Sequence, residues 1–172
     1  MGQIVLRPQD IAVALELALE PGEGFAALAE AVGLSMSEAH GSVKRLTQAR
    51  LLSREARRIA PSALLNFIGS GVPHAFPAIV GAEARGIPTA AAGPPLAREF
   101  PSAVQYVWPS AEGKVRGQSL TPLYPKAVGI ALRRPGLYEL LTLVDALRIG
   151  QARERRRATQ LLQERLVRED DG

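Results

Sequence analysis

The chain contains no cysteine in its 172 residues. Disulfides, thiolate zinc sites and cysteine nucleophiles are therefore excluded, and the composition fits a reducing, cytoplasmic setting. Histidine is almost as scarce, with only His40 and His74. Two distant imidazoles without a thiol cannot build a metal cluster unless several carboxylates join them, so neither a metal nor another cofactor is expected. His74, between Pro73 and Ala75, reads as structural. No apolar run approaches the ~20 residues that cross a bilayer. The short run after Met1-Gly2 is broken at Arg7-Pro8, so no signal peptide and no membrane partner are expected. There is no phosphate-binding loop. Gly69-Ser70-Gly71 lacks the flanks of a nucleophile elbow and reads as a helix stop. With no catalytic constellation present, an enzyme is not expected.

What is present is enough apolar material for a real core: hydrophobic residues make up 47% of the chain. The length suits one ordinary domain or two small ones. The formal net charge of +4 is modest, but its distribution is uneven. Residues 1–43 carry six acids and one base, Arg7, whereas residues 44–58 carry six bases and one acid, Glu55. Such a reversal suits either a polyanion partner or a solvated basic face.

Hydrophobic spacing predicts a mainly α chain with small β elements. Pro8 and Asp10 suit a first helical turn, and Ile11, Ala14, Leu15, Ala18 and Leu19 follow on one face until Pro21-Gly22. A second helix is predicted from Phe25 to Val32, stopped by Gly33. Ser35 and Glu38 form a serine-x-x-glutamate capping box, which starts a third helix over residues 36–49. Residues 51–60 suit a small hairpin, and Pro61-Ser62 opens another helix that Gly69 and Gly71 should close. Residues 72–135 hold ten prolines, yet they also carry Phe76, Ile79, Ile87, Tyr106, Trp108 and Tyr124. That mixture predicts an ordered Pro-rich loop layer, or else a segment that orders on a partner. Within it, Val104–Trp108 and Lys114–Leu120 are candidates to pair across a turn. Two C-terminal helices follow. The first has a stripe of Leu137, Leu140, Leu141, Val144 and Leu147, either core or dimer seam. The second runs over residues 152–167.

The most specific run is residues 28–46. Ala29 is small where two helices cross, Gly33 turns the chain, Leu34 plugs the angle, and Ser35 caps the next helix. Ala39, Val43 and Leu46 would hold that helix to the core and free its other face. With its Gly-Leu-Ser turn, Ala-x-x-x-Val-Lys-Arg-Leu helix and basic stretch after Leu51-Leu52, the run resembles bacterial winged helix-turn-helix regulators of the multiple-antibiotic-resistance type. The resemblance covers residues 8–68. Residues 72–172 look like a smaller helix-turn-helix group with a Phe-Pro-Ala, Arg-Gly-Ile-Pro-Thr-Ala and Pro-Pro-Leu series, here Phe76-Pro77-Ala78, Arg85 to Ala90 and Pro94 to Leu96.

The resemblance implies a double-stranded DNA-binding transcriptional regulator, a dimeric repressor. Residues 1–70 would be a winged helix-turn-helix domain, and residues 71–172 a loop-rich and helical region for dimerisation, a partner or an effector. The recognition helix would present Ser37, Glu38, His40, Gly41, Lys44 and Arg45 to the major groove, with Ser35 and Ser37 at its N-terminus suiting a phosphate and Arg54, Arg57 and Arg58 on a wing. The alternative is an antitoxin-like or defence-operon accessory protein that binds a protein partner through residues 71–172. A weaker possibility is a small-molecule sensor built on Phe76, Tyr106, Trp108 and Tyr124. Arg153 to Arg157 reads as a solvated helix face or as a second DNA contact.

Overall fold

A computed structural model describes residues 2–167; Met1 and the acidic Glu169-Asp170-Asp171 tail lie outside the described residues. Pro8 occupies the first position of α1 (Pro8–Leu19), and Asp10 accepts the Arg7 backbone N–H at 2.8 Å. α2 (Phe25–Val32) ends on Gly33, whose φ of 69° is the left-handed conformation that glycine tolerates. α3 (Met36–Gln48) opens on the expected capping box: Glu38 N–H donates to Ser35 Oγ at 3.1 Å, and Ser35 N–H donates to Glu38 Oε2 at 2.8 Å.

Residues 51–60 fold back on themselves through one bridge, Leu52 to Ile59. Ser53 N–H donates to the Arg58 carbonyl at 2.8 Å, and Ala60 N–H to the Leu51 carbonyl at 2.9 Å. Gly69 and Gly71 do not stop the next helix. α4 (Pro61–Asn66) continues through a π-helical turn (Phe67–Gly71) into α5 (Val72–Ala75). Ile68 and Val72 are fully buried in this stretch, and their packing outweighs a glycine cost of about 1 kcal/mol each.

The Pro-rich layer contains more regular structure than its composition suggests. A three-stranded sheet forms from β1 (Val80–Thr89), β2 (Tyr106–Pro109) and β3 (Val115–Leu120). The segments expected to pair as a hairpin do pair, but in parallel, Tyr106 with Gln118 and Val107 with Ser119. Each also runs antiparallel to β1, with Ile87 opposite Trp108 and Ala84 opposite Gly117. β1 has no period-2 signal, and its Gly81, Gly86 and Pro88 are poor strand formers. Close crossing explains the glycines: a Cβ on Gly86 would lie 2.0 Å from the Trp108 carbonyl oxygen. A further short helix, α6 (Ala127–Arg133), precedes α7 (Pro135–Ile149) and α8 (Ala152–Leu166), making three C-terminal helices where two were expected. The chain is thus mainly helical with one small three-stranded sheet.

Two helices are buried on all sides. In α1, Ile11, Ala12, Val13, Ala14, Leu15, Leu17 and Ala18 are all core, because α2 and α3 cover one flank and α7 and α8 the other. The Leu137–Leu147 stripe of α7 is core rather than a seam, joined by Leu143 and Ala146. One continuous apolar cluster runs from Ile11 to Leu166.

These buried helices carry carboxylates, and each has an arginine. Asp145 on α7 accepts from Thr89 Oγ1 at 2.6 Å, Trp108 Nε1 at 2.8 Å and Arg148 Nη1 at 2.8 Å. Arg148 also donates to the Phe76 and Pro77 carbonyls. The Asp145–Arg148 pair is therefore internal, and Asp145 ties both β1 and β2 to α7. The Phe-Pro-Ala, Ile-Pro-Thr-Ala and Pro-Pro-Leu motifs all dock on α7, since Tyr138 also bonds the Pro88 carbonyl and Thr142 the Pro94 carbonyl. Their shared role is architectural. Trp108 and Tyr124 likewise spend their polar ends inside, Tyr124 Oη on the Val32 carbonyl at 2.8 Å.

Asp145→Ala should cost about 3–5 kcal/mol in urea unfolding, because it leaves the Arg148 guanidinium buried without its carboxylate. Glu83→Ala, which breaks an exposed pair with Arg116, should cost less than about 1 kcal/mol.

Glu16 on α1 pairs with Arg134. Burial pushes its carboxyl up to about 7 against the opposing pull of Arg134, and the charge of Glu23 pushes the same way. The folded chain then holds a proton that the unfolded chain releases above its ordinary value of 4.5. Stability from this group is present at the acid end and falls as pH rises to about 7. Burial raises the Asp145 carboxyl too, with the same sign. Unfolding midpoints should fall between pH 5 and 7.5, and Glu16→Gln should flatten a component on the order of 2–3 kcal/mol.

Candidate nucleic-acid interface

The local sequence of α3 divides the helix into an anchored face and an open one. Ala39, Ser42, Val43 and Leu46 face the core. Ser42 is polar and fully buried, yet satisfied: its hydroxyl donates to Asp10 Oδ1 at 2.6 Å. Arg45 donates to the same carboxylate through Nε and Nη2, both at 2.8 Å. With the Arg7 N–H, the fully buried Asp10 accepts four hydrogen bonds, so its charge is compensated and α3 is pinned to the start of α1.

This arrangement sorts the ten candidate residues. Ser37 and Lys44 stand exposed on the open face of α3, and Gly41 is half-buried between them. Arg54 and Arg58 are exposed on the hairpin. The other five are engaged within the chain. Ser35 and Glu38 hold one another in the capping box, and the Ser35 N–H keeps the Glu38 carboxyl below its usual range. Arg45 is committed to Asp10. His40 stacks on the Phe25 ring, 3.7 Å between centroids and 19° between planes. The Arg57 guanidinium lies 4.4 Å from the same centroid, so with the imidazole on one face it occupies the other. His40, Phe25 and Arg57 thus form a stack that joins α3, α2 and the hairpin.

Spacing did not reveal three contributors. Asp10 reads as a helix-dipole residue, and only its contact with α3 makes it the anchor of that helix. Phe25 reads as a plain core residue. The third is the N-terminal segment: Gln3, Ile4, Val5 and Arg7 line one wall of a surface depression whose other wall is Gly41, Lys44 and Arg45. The basic run on α8 is partly committed, since Arg157 pairs with Glu99 at 2.8 Å and Arg155 donates to the Gly150 carbonyl at 2.9 Å. Arg153 and Arg156 remain exposed.

Comparison with protein-family models, with characterised proteins and with solved structures finds no match to the chain. Among the described residues, no group of three or more His, Cys, Asp and Glu side chains is placed to hold a metal ion. No helix among them is long and apolar enough to cross a membrane.

Two adjacent basic residues on α3 should behave oppositely. Arg45→Ala leaves Asp10 buried without its guanidinium and should lower stability by about 3–5 kcal/mol. Lys44→Ala should change it by no more than about 0.5 kcal/mol. Paired thermal or urea denaturation checks both.

Proposed function

We propose that the chain is a double-stranded DNA-binding transcriptional regulator of winged helix-turn-helix type, with α3 in the major groove and residues 51–60 as the wing. The observation that carries this reading is the division of α3. One face is pinned by Asp10, Ser42 and Arg45, while Ser37 and Lys44 stay exposed on the other, beside a hairpin bearing exposed Arg54 and Arg58. A rigid helix with small and cationic residues outward suits a groove walled by phosphates. The left-handed Gly33 and the capped Ser35 set the angle between α2 and α3, and the Phe25 stack holds the hairpin beside them. In this reading Lys44 reaches base edges or phosphates and Arg54 and Arg58 the backbone, while His40, Arg45 and Arg57 position these elements.

A regulator of this kind reads two half-sites as a two-fold pair, so a homodimeric repressor remains the proposed assembly. Its seam would lie outside the Leu137–Leu147 stripe, which is consumed in the core. A contact with a second chain or a protein partner would run through residues 71–172.

Fluorescence anisotropy on the purified chain with promoter-length duplexes, read between about 50 and 200 mM salt, tests the proposal. Binding should fall steeply with salt, and Lys44→Gln should lower the log–log slope by about 0.9. Absence of duplex binding at the low-salt end, or binding indifferent to Lys44, Arg54 and Arg58, would sink it.

A further inference from the structure

The turn between α2 and α3 is covered by a residue from the far half of the chain. Tyr124 is buried, and its hydroxyl bond to the Val32 carbonyl fixes the segment before α6 against the end of α2. Two residues later, the Lys126 stem lies over Gly33. A Cβ added to Gly33 would stand 3.1 Å from Lys126 Cβ, 3.4 Å from Cγ and 3.7 Å from Cδ. Gly33 is favoured by its positive φ, and the lysine stem packs closely against the place a side chain would take. Lys126 itself is exposed. A lysine whose stem is packed and whose end is in water presents its ammonium at a defined place.

That place is beside the first turn of α3. The Ser35 bonds contribute most to holding the Glu38 carboxyl down, and the positive charges of Lys126 and Arg7 add to them. Arg7 comes from the segment before α1 and Lys126 from the start of α6, and both are exposed. The exposed Lys44 lies further along the same helix.

We propose that Lys126 is a phosphate contact supplied by the second half of the chain, extending the duplex-facing surface to the α2–α3 turn. The occupant is the phosphate backbone of double-stranded DNA, favoured by charge complementarity with three exposed cations, Arg7 and Lys126 near the start of α3 and Lys44 on it. The inference rests on the reading of α3 as a duplex-binding helix. It adds that residues 1–70 alone would present an incomplete surface.

The test uses the full chain and a random-sequence duplex pool. Lys126→Met keeps the stem over Gly33 and removes the charge, while Lys126→Arg keeps both. The Met variant should bind more weakly at low salt, with a log–log slope smaller by about 0.9. Its deficit against wild type should shrink about threefold between about 50 and 200 mM salt. The Arg variant should bind as wild type does. A Met variant with wild-type slope, while Lys44→Gln lowers the slope, overturns this proposal and leaves the parent reading standing. Weaker binding by the Met variant at an unchanged slope also overturns it, since the stem alone would then matter. A wild-type chain that binds no duplex overturns the parent reading and this one together.

Discussion

A carboxylate inside an apolar helix has to be matched, and three such groups organise this molecule. α1 and α7 are the two helices with no solvent face, and they carry Asp10, Glu16 and Asp145 at or near full burial. An unpaired charge in such a place would cost several kcal/mol, so each carboxylate draws an arginine to it. Asp10 takes Arg45 from α3, Glu16 takes Arg134 from the α6–α7 junction, and Asp145 takes Arg148 from its own helix. The first pair orients α3, the second ties α1 to the C-terminal helices, and the third gathers two strands and a loop onto α7.

This constraint also decides which cations face outward. α3 carries adjacent basic residues, and only the register of the helix against Asp10 distinguishes them. Arg45 turns inward and becomes part of the frame; Lys44 turns outward and remains available. Arg57 is held by a different contact, over the Phe25 ring, while Arg54 and Arg58 stay in solvent. The proposed duplex-binding surface is therefore smaller in residue count than the basic stretch 44–58, and stiffer. With Lys126 as the proposed contact, it would also be less local.

Local chemistry was enough to locate the first three helices. A proline at the first turn, a glycine at φ +69° and a reciprocal Ser35–Glu38 cap act within a few residues, so they can be read without knowing the fold. The hairpin at 51–60 and the two long C-terminal helices were legible for the same reason. β1 was not: it owes its strand to partners about 20 to 40 residues away, and its glycines serve close approach rather than flexibility. The Phe-Pro-Ala and Ile-Pro-Thr-Ala motifs stood out as unusual, but their meaning lay in carbonyls and a hydroxyl that meet Arg148, Tyr138 and Asp145.

α3 shows the division most clearly. Its existence, its ends and its two-sided pattern follow from sequence, because capping and helical period are local properties of the chain. The identity of the side chains on its open face does not, because that depends on which donors a buried carboxylate 35 residues earlier requires. Nor could spacing anticipate Lys126, whose place over Gly33 exists only once Tyr124 has bonded to the end of α2. Short-range hydrogen bonding set the first three helices of this protein, and the compensation of the buried Asp10 charge, which acts between packed elements, settled which basic residue α3 presents.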